Sequence, residues 1–184
     1  MGDSDQSPTP FPARPVLVVM GVSGSGKTTV AKLLATRLGW DMEEGDDLHP
    51  ESNVAKMAAG HPLTDEDRWP WLRSVAAWIA EHTEAHRPGV ITCSALKRSY
   101  RDVLRGPDVV FVHLTGDADR IGQRLAARHG HYMPASLLQS QIDTLEPLGP
   151  DEQAIEVDVA ATPSEIAAEV IARLHLRRAG TAAG

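Results

Sequence analysis

The octapeptide Gly21-Val22-Ser23-Gly24-Ser25-Gly26-Lys27-Thr28 constrains this chain more than any other stretch. It satisfies the pattern G-x-x-x-x-G-K-[ST] in full. An apolar run, Val16 to Met20, leads into it, and Val30, Leu33, Leu34 and Leu38 leave it at helical spacing. The local order is therefore strand, glycine-rich turn, helix. Glycines open backbone conformations closed to other residues, so successive N–H groups can turn inward around an anion. The helix that follows adds its own unpaired N–H groups and the positive end of its dipole. A phosphate cradle is expected from Gly21, Ser23, Gly24, Ser25, Gly26, Lys27, Thr28 and Thr29. Lys27 would reach the β- and γ-phosphates of ATP, and the Thr28 hydroxyl would ligate Mg2+.

The chain has 184 residues, enough for one domain with a sizeable core and too few for two. Its net charge of −7 argues against wholesale binding to nucleic acid or an anionic membrane, so any anionic ligand must meet local basic clusters. The apolar runs fall short of a membrane span, and the N-terminus lacks the layout of a signal peptide. Cys93 stands alone, which excludes an internal disulfide framework. A soluble, cytoplasmic protein is expected.

Residues 1–15, rich in proline and poor in apolar side chains, read as a disordered leader, with Phe11 the one group that could pin it. Residues 177–184 read as a flexible tail. Between them, 16–176, strands and helices alternate. Further strands are expected near Asp41–Glu44, Val90–Cys93, Val109–Leu114 and Ile155–Val159. Thr64 with Asp67 makes a capping box ahead of a helix that buries Leu72, Val75, Ala76 and Ile79. Thr162, Pro163 and Glu165 open the last helix. Apolar strands alternating with helices imply a parallel α/β sheet covered on both faces, with ligands at the carboxyl ends of the strands.

The chemically suggestive residues cluster at those ends. Asp46, after the second strand, is expected to accept a proton from a substrate hydroxyl or to hold a metal-bound water. His49 is either a loop hydrogen-bonder or a substrate contact. Arg68 offers a guanidinium fork for a carboxylate. Met57 and Trp71 read as packing, and Cys93 as a small buried hydrophobe. Lys97, Arg98 and Arg101 stand at a helix N-terminus, where cations oppose the dipole, which implies an anion waiting for them. Arg120, Arg124 and Arg128 share one helix face. Such a row is ordinarily solvated, but the Gly130 and Pro134 punctuation that follows favours a lid carrying charge to transferring phosphates, with His131 within it. The third strand ends in Cys-Ser without an aspartate, and no guanine-reading Asn-Lys-x-Asp occurs. Both absences lean toward a small-molecule kinase.

Taken together, the Gly21–Thr29 loop, Gly45-Asp46-Asp47-Leu48-His49-Pro50 with Asn53, Lys56 and Met57, the Pro62–Leu72 and Cys93–Asp102 stretches and the Gly130–Glu146 stretch resemble the gluconokinase family of P-loop kinases. The resemblance covers roughly Pro15 to Leu174. It implies a P-loop NTPase three-layer sandwich with a five-stranded parallel sheet, a substrate-binding insert at about 46–72 and a helical lid at about 124–146. It implies ATP- and Mg2+-dependent phosphorylation of D-gluconate by a homodimer, with catalytic Lys27, Asp46, Arg124 and Arg128. Gluconate would be met by Asp46, His49, Arg68, Lys97, Arg98, Arg101 and His131, and the metal by Thr28 and Asp46. Glu44 stands where such proteins tend to carry an aspartate. The alternatives are a kinase for another small hydroxy acid such as shikimate, and a nucleotide-binding regulatory module that transfers nothing.

Overall fold

The computed structural model describes residues 11–117, 120–121 and 135–180, the side chains of 135–137 excepted. At its centre lies β1 (Val16–Met20), every residue of which is buried. It pairs in parallel with β3 (Gly89–Thr92) on one side and β4 (Val109–Thr115) on the other. β2 (Asp41–Glu44) and β5 (Ala154–Asp158) form the edges, giving a five-stranded parallel sheet in the order β2-β3-β1-β4-β5.

The two-residue period of a strand divides β1 between two cores. Leu17 and Val19 join Leu34, Val110, Val112, Ile166 and Val170 beneath α1 (Lys27–Leu38) and the C-terminal helix Pro163–Leu174. Val16, Val18 and Met20 join Leu72, Val75, Ile79, Phe111 and Leu104 beneath α3 (Asp65–Glu84) and α4 (Arg98–Leu104). Each fully buried aliphatic side chain contributes roughly 1.5–3 kcal/mol. The expected three layers are present, and β1, apolar throughout, is the plane they share.

Local signals set the helix starts. Thr64 Oγ1 accepts from the Asp67 amide at 3.2 Å, and the Asp67 carboxylate accepts from the Thr64 amide at 2.8 Å, completing the capping box. Thr162 caps the final helix by accepting from the Glu165 amide at 3.2 Å, with Pro163 at its first position. Two further helices lie among the described residues: α2 (Glu51–Ala58) lies between β2 and α3, and α5 (Ala135–Thr144) precedes β5. The C-terminal helix is α6. Phe11 packs partly buried against the first core. Part of the expected tail is tethered, because the Ala179 amide donates to Leu38 O at 2.8 Å at the end of α1. Among the described residues no helix is long and apolar enough to cross a membrane.

Candidate active site

A cleft opens at the carboxyl ends of the strands. Its walls bring together Ser23 and Lys27 of the phosphate loop, Asp46 and His49 after β2, Arg68 and Trp71 of α3, Ser94 and Leu96 after β3, and Gln141 of α5.

The phosphate loop has the geometry its glycines imply. Gly21 has φ 143°, and a Cβ there would lie 2.9 Å from both Leu114 O and Ser25 Oγ. Only glycine fits. Lys27 Nζ donates to Gly21 O at 2.9 Å and to Val22 O at 3.0 Å. Ser25 is buried and its hydroxyl donates to Val22 O at 2.7 Å, so its side chain shapes the loop and does not face the cleft. Thr29 is exposed on the first turn of α1.

At the end of β2, Glu44 lies against the loop. Its Oε2 accepts from Thr28 Oγ1 at 3.2 Å and from Thr92 Oγ1 at 2.7 Å. Its Oε1 is buried without a hydrogen-bond partner among the described residues. A buried carboxylate oxygen left unsatisfied beside the Thr28 hydroxyl suits a hydrated divalent cation, and Mg2+ characteristically keeps waters and takes few protein ligands. Among the described residues no group of three or more His, Cys, Asp or Glu side chains could hold a metal. The carboxylate that meets Thr28 is Glu44, while the side chain of Asp46, the residue expected beside the metal, is 80% exposed.

Gly45 makes this arrangement possible. A Cβ there would lie 2.0 Å from Thr92 O, so the turn presses directly on β3. The Gly45 amide donates to Thr92 Oγ1 at 3.2 Å, and its carbonyl accepts from Trp71 Nε1 at 2.7 Å. Asp46 is thereby presented at the cleft wall from the short 3-10 turn Gly45–Leu48. His49, next in the loop, stacks on Trp71 with ring centroids 4.1 Å apart at 16°. Burial lowers its pKa, Asp46 opposes that shift, and Arg68 adds to it.

The basic residues divide. Arg68 faces the cleft, where its Nη1 donates to the Tyr100 hydroxyl at 3.1 Å. Tyr100 in turn donates to Asp65, and Lys97 Nζ donates to the same carboxylate at 2.9 Å. These two bonds, Tyr100 foremost, hold the Asp65 carboxyl below the usual range. Arg98 is bound by Asp151, with Nη1 at 2.8 Å from Oδ1. Arg101 is fully buried, with Nε 2.6 Å from Glu152 Oε1 and Nη1 donating to Ala95 O at 3.0 Å and Leu96 O at 3.2 Å.

None of Lys97, Arg98 and Arg101, expected to meet substrate, is among the residues that line the cleft. Electrostatics did demand anions ahead of α4, but the anions are the chain's own carboxylates. Arg101 acts on the site at one remove. Its guanidinium satisfies the carbonyls of a kink, with Ala95 at φ 48°, that sets Ser94 and Leu96 on the cleft wall. Cys93 is buried, and desolvation pushes its thiol up to about 12.

Arg124, Arg128 and His131 lie outside the described residues, and Arg120, the first of that arginine row, is exposed. Gln141 is among the cleft residues missed from the sequence. Gln141 Oε1 accepts from the Ser23 amide at 2.7 Å. Its signal was present, since it stands three residues after the buried Leu138 and so shares the inward face of α5.

The sequence profile of the shikimate kinase family matches residues 23–175. Gluconokinase from Gluconobacter oxydans (strain 621H) is 55% identical over 157 residues, covering 84% of this chain and 88% of that protein. Among solved structures, a sugar kinase from Janibacter sp. HTCC2649 superposes with a TM-score of 0.85 at 49% identity, covering 92% of this chain and 99% of the other. A gluconokinase from Sinorhizobium meliloti 1021 superposes at 0.80 with 45% identity, covering 91% and 94%.

Proposed function

We propose, from the premise that this chain belongs to the gluconokinase family, that it transfers the γ-phosphoryl group of ATP to D-gluconate, giving 6-phospho-D-gluconate. The observation that carries this reading is a single cleft holding a phosphate-loop lysine, a strand-end carboxylate and a guanidinium. Gluconate has a carboxylate at one end and a primary hydroxyl at the other. The cleft offers a matching cation, Arg68, and a matching proton acceptor, Asp46.

Lys27 leaves its loop carbonyls to neutralise the β- and γ-phosphates, and Asp46 orients the attacking hydroxyl and takes its proton late, as a loose transition state requires. Arg68, braced by Tyr100, holds the sugar-acid carboxylate in a fixed orientation. Thr28 and Glu44 are the residues that would hold Mg2+, which when bound supplies charge neutralisation at the phosphate oxygens. Arg124, Arg128 and His131 remain assigned to a lid over the phosphates. The reading extends to a homodimer, on the resemblance to a family whose members are often dimeric, and to the cytoplasm, where ATP is abundant.

A coupled ADP-release assay with gluconate, shikimate and glucose tests it. Turnover is expected with gluconate, little with glucose, and none with shikimate. Lys27→Ala should abolish it with little change in thermal midpoint. Faster turnover of shikimate would replace the substrate, and ATP binding without ADP release for any acid would reduce the protein to a nucleotide-binding module.

A further inference from the structure

We propose that Asn53 is a positioning residue that fixes His49 in its Nε2–H tautomer, so that His49 serves the reaction only as a hydrogen-bond donor beside Asp46 and leaves proton acceptance to Asp46. Geometry alone decides the orientation of the Asn53 side chain. Asn53 is buried in the first turn of α2, and its Nδ2 lies 2.8 Å from the backbone carbonyl of Asp67. A carbonyl oxygen can only accept, so the amide nitrogen, and not the amide oxygen, faces it. The same Nδ2 lies 3.2 Å from His49 Nδ1.

An amide nitrogen carries two hydrogens and no lone pair available to accept. One hydrogen goes to Asp67 O and the other to His49 Nδ1, which must therefore present its lone pair. The proton of the neutral ring is then on Nε2. That nitrogen is 3.9 Å from Asp46 Oδ1, too far for a direct bond and close enough to aim a donor at the space before the carboxylate. The stack on Trp71, itself held by the Gly45 carbonyl, prevents the ring from turning over. Asp67 is in turn fixed by the Thr64 cap and by Lys56 Nζ at 2.6 Å. The only basic nitrogen of His49 is thus buried and occupied, and the ring cannot act as the base.

What the donor meets rests on the gluconate reading, but the tautomer does not, and the test separates them. Two-bond 1H–15N correlation spectra of the labelled full chain, without nucleotide or acid, report the protonated nitrogen of His49, which is assigned by its loss in His49→Gln. The expected pattern is a neutral ring protonated at Nε2. In Asn53→Asp a carboxylate faces Nδ1 and can only accept, so the pattern should switch to Nδ1–H and kcat for gluconate fall about tenfold, the effect of one misdirected hydrogen bond. Asn53→Leu should give mixed tautomers and a smaller loss. If either variant fails to fold, the wild-type spectrum still decides, because an Nδ1–H or doubly protonated His49 overturns the proposal. Folded variants whose kcat matches wild type overturn it as well. An Nε2–H ring in a protein that does not phosphorylate gluconate leaves the tautomer standing and removes the substrate reading instead.

Discussion

Gln141 accepts, through its side-chain oxygen, the backbone amide of Ser23 at 2.7 Å, joining α5 to the phosphate loop across 118 positions of sequence. That amide belongs to the row of N–H groups that a nucleotide's phosphate oxygens require. Gln141 and the nucleotide therefore compete for it. Gln141→Ala is expected to tighten a non-hydrolysable ATP analogue about threefold to tenfold, the net worth of one hydrogen bond. Titration calorimetry reads the change, and weaker binding in the variant would mean that Gln141 follows the phosphate rather than yielding to it.

Arg68→Ala should raise KM for gluconate about tenfold to a hundredfold, the range for a hydrogen bond to a charged group, and disturb kcat less. Arg68→Lys should rescue little, because an ammonium lacks the guanidinium fork and loses the Tyr100 brace. Steady-state kinetics in gluconate with saturating ATP distinguish these outcomes. An unchanged KM would place the carboxylate elsewhere in the cleft.

Asp46→Asn keeps shape and removes the proton acceptor. Its kcat is expected to fall about a hundredfold or more, the range for a positioned acid–base group, with gluconate still bound. The side chain is 80% exposed, so the thermal midpoint should hold. Near-normal turnover in this variant would remove Asp46 from the chemistry.

Two neighbouring arginines should differ sharply in their contribution to stability. Arg101→Ala strands the Glu152 carboxylate, whose side chain is 1% exposed, and is expected to cost about 3–5 kcal/mol in urea unfolding. Arg98→Ala breaks only exposed pairs with Asp151 and Asp102 and should leave the urea midpoint close to that of the wild type. Equal costs would contradict the division of these residues into a buried pin and a surface pair.

Asp67 offers a test by acid. Its carboxyl is held at about 2, below the ordinary 3.8, first by Lys56 and then by the Thr64 amide. A depressed folded pKa means stability that is present above 3.8 and lost as pH falls toward about 2. Urea midpoints of the wild type should fall across that window more steeply than those of Asp67→Asn. Parallel curves would show that the cap does not depend on this charge.

The parts legible beforehand were those whose cause is local. The strand before Gly21, the helix after Thr28, the Thr64 and Thr162 caps and the parallel α/β class each follow from neighbours a few positions apart. Asp46, His49 and Arg68 line one cleft because residues at the carboxyl ends of parallel strands, or in the insert beside them, converge there. Lys97, Arg98 and Arg101 lie off that cleft for an instructive reason. The helix-dipole argument correctly required anions near them, but Asp65, Asp151 and Glu152 are 32, 53 and 51 positions away from their respective partners. Nothing within a helix turn identifies such a partner.

By itself, then, the sequence determined the phosphate loop, the alternation of strands and helices, and the chemistry available at the strand ends, because backbone conformation and hydrophobic period are short-range properties. Tertiary structure alone decided which carboxylate meets Thr28, which arginine stays in the cleft, and that Gln141 reaches Ser23. Those contacts depend on the strand order β2-β3-β1-β4-β5 and its registers, which place Glu44 level with Thr92 and bring α5 back over the first turn of the chain.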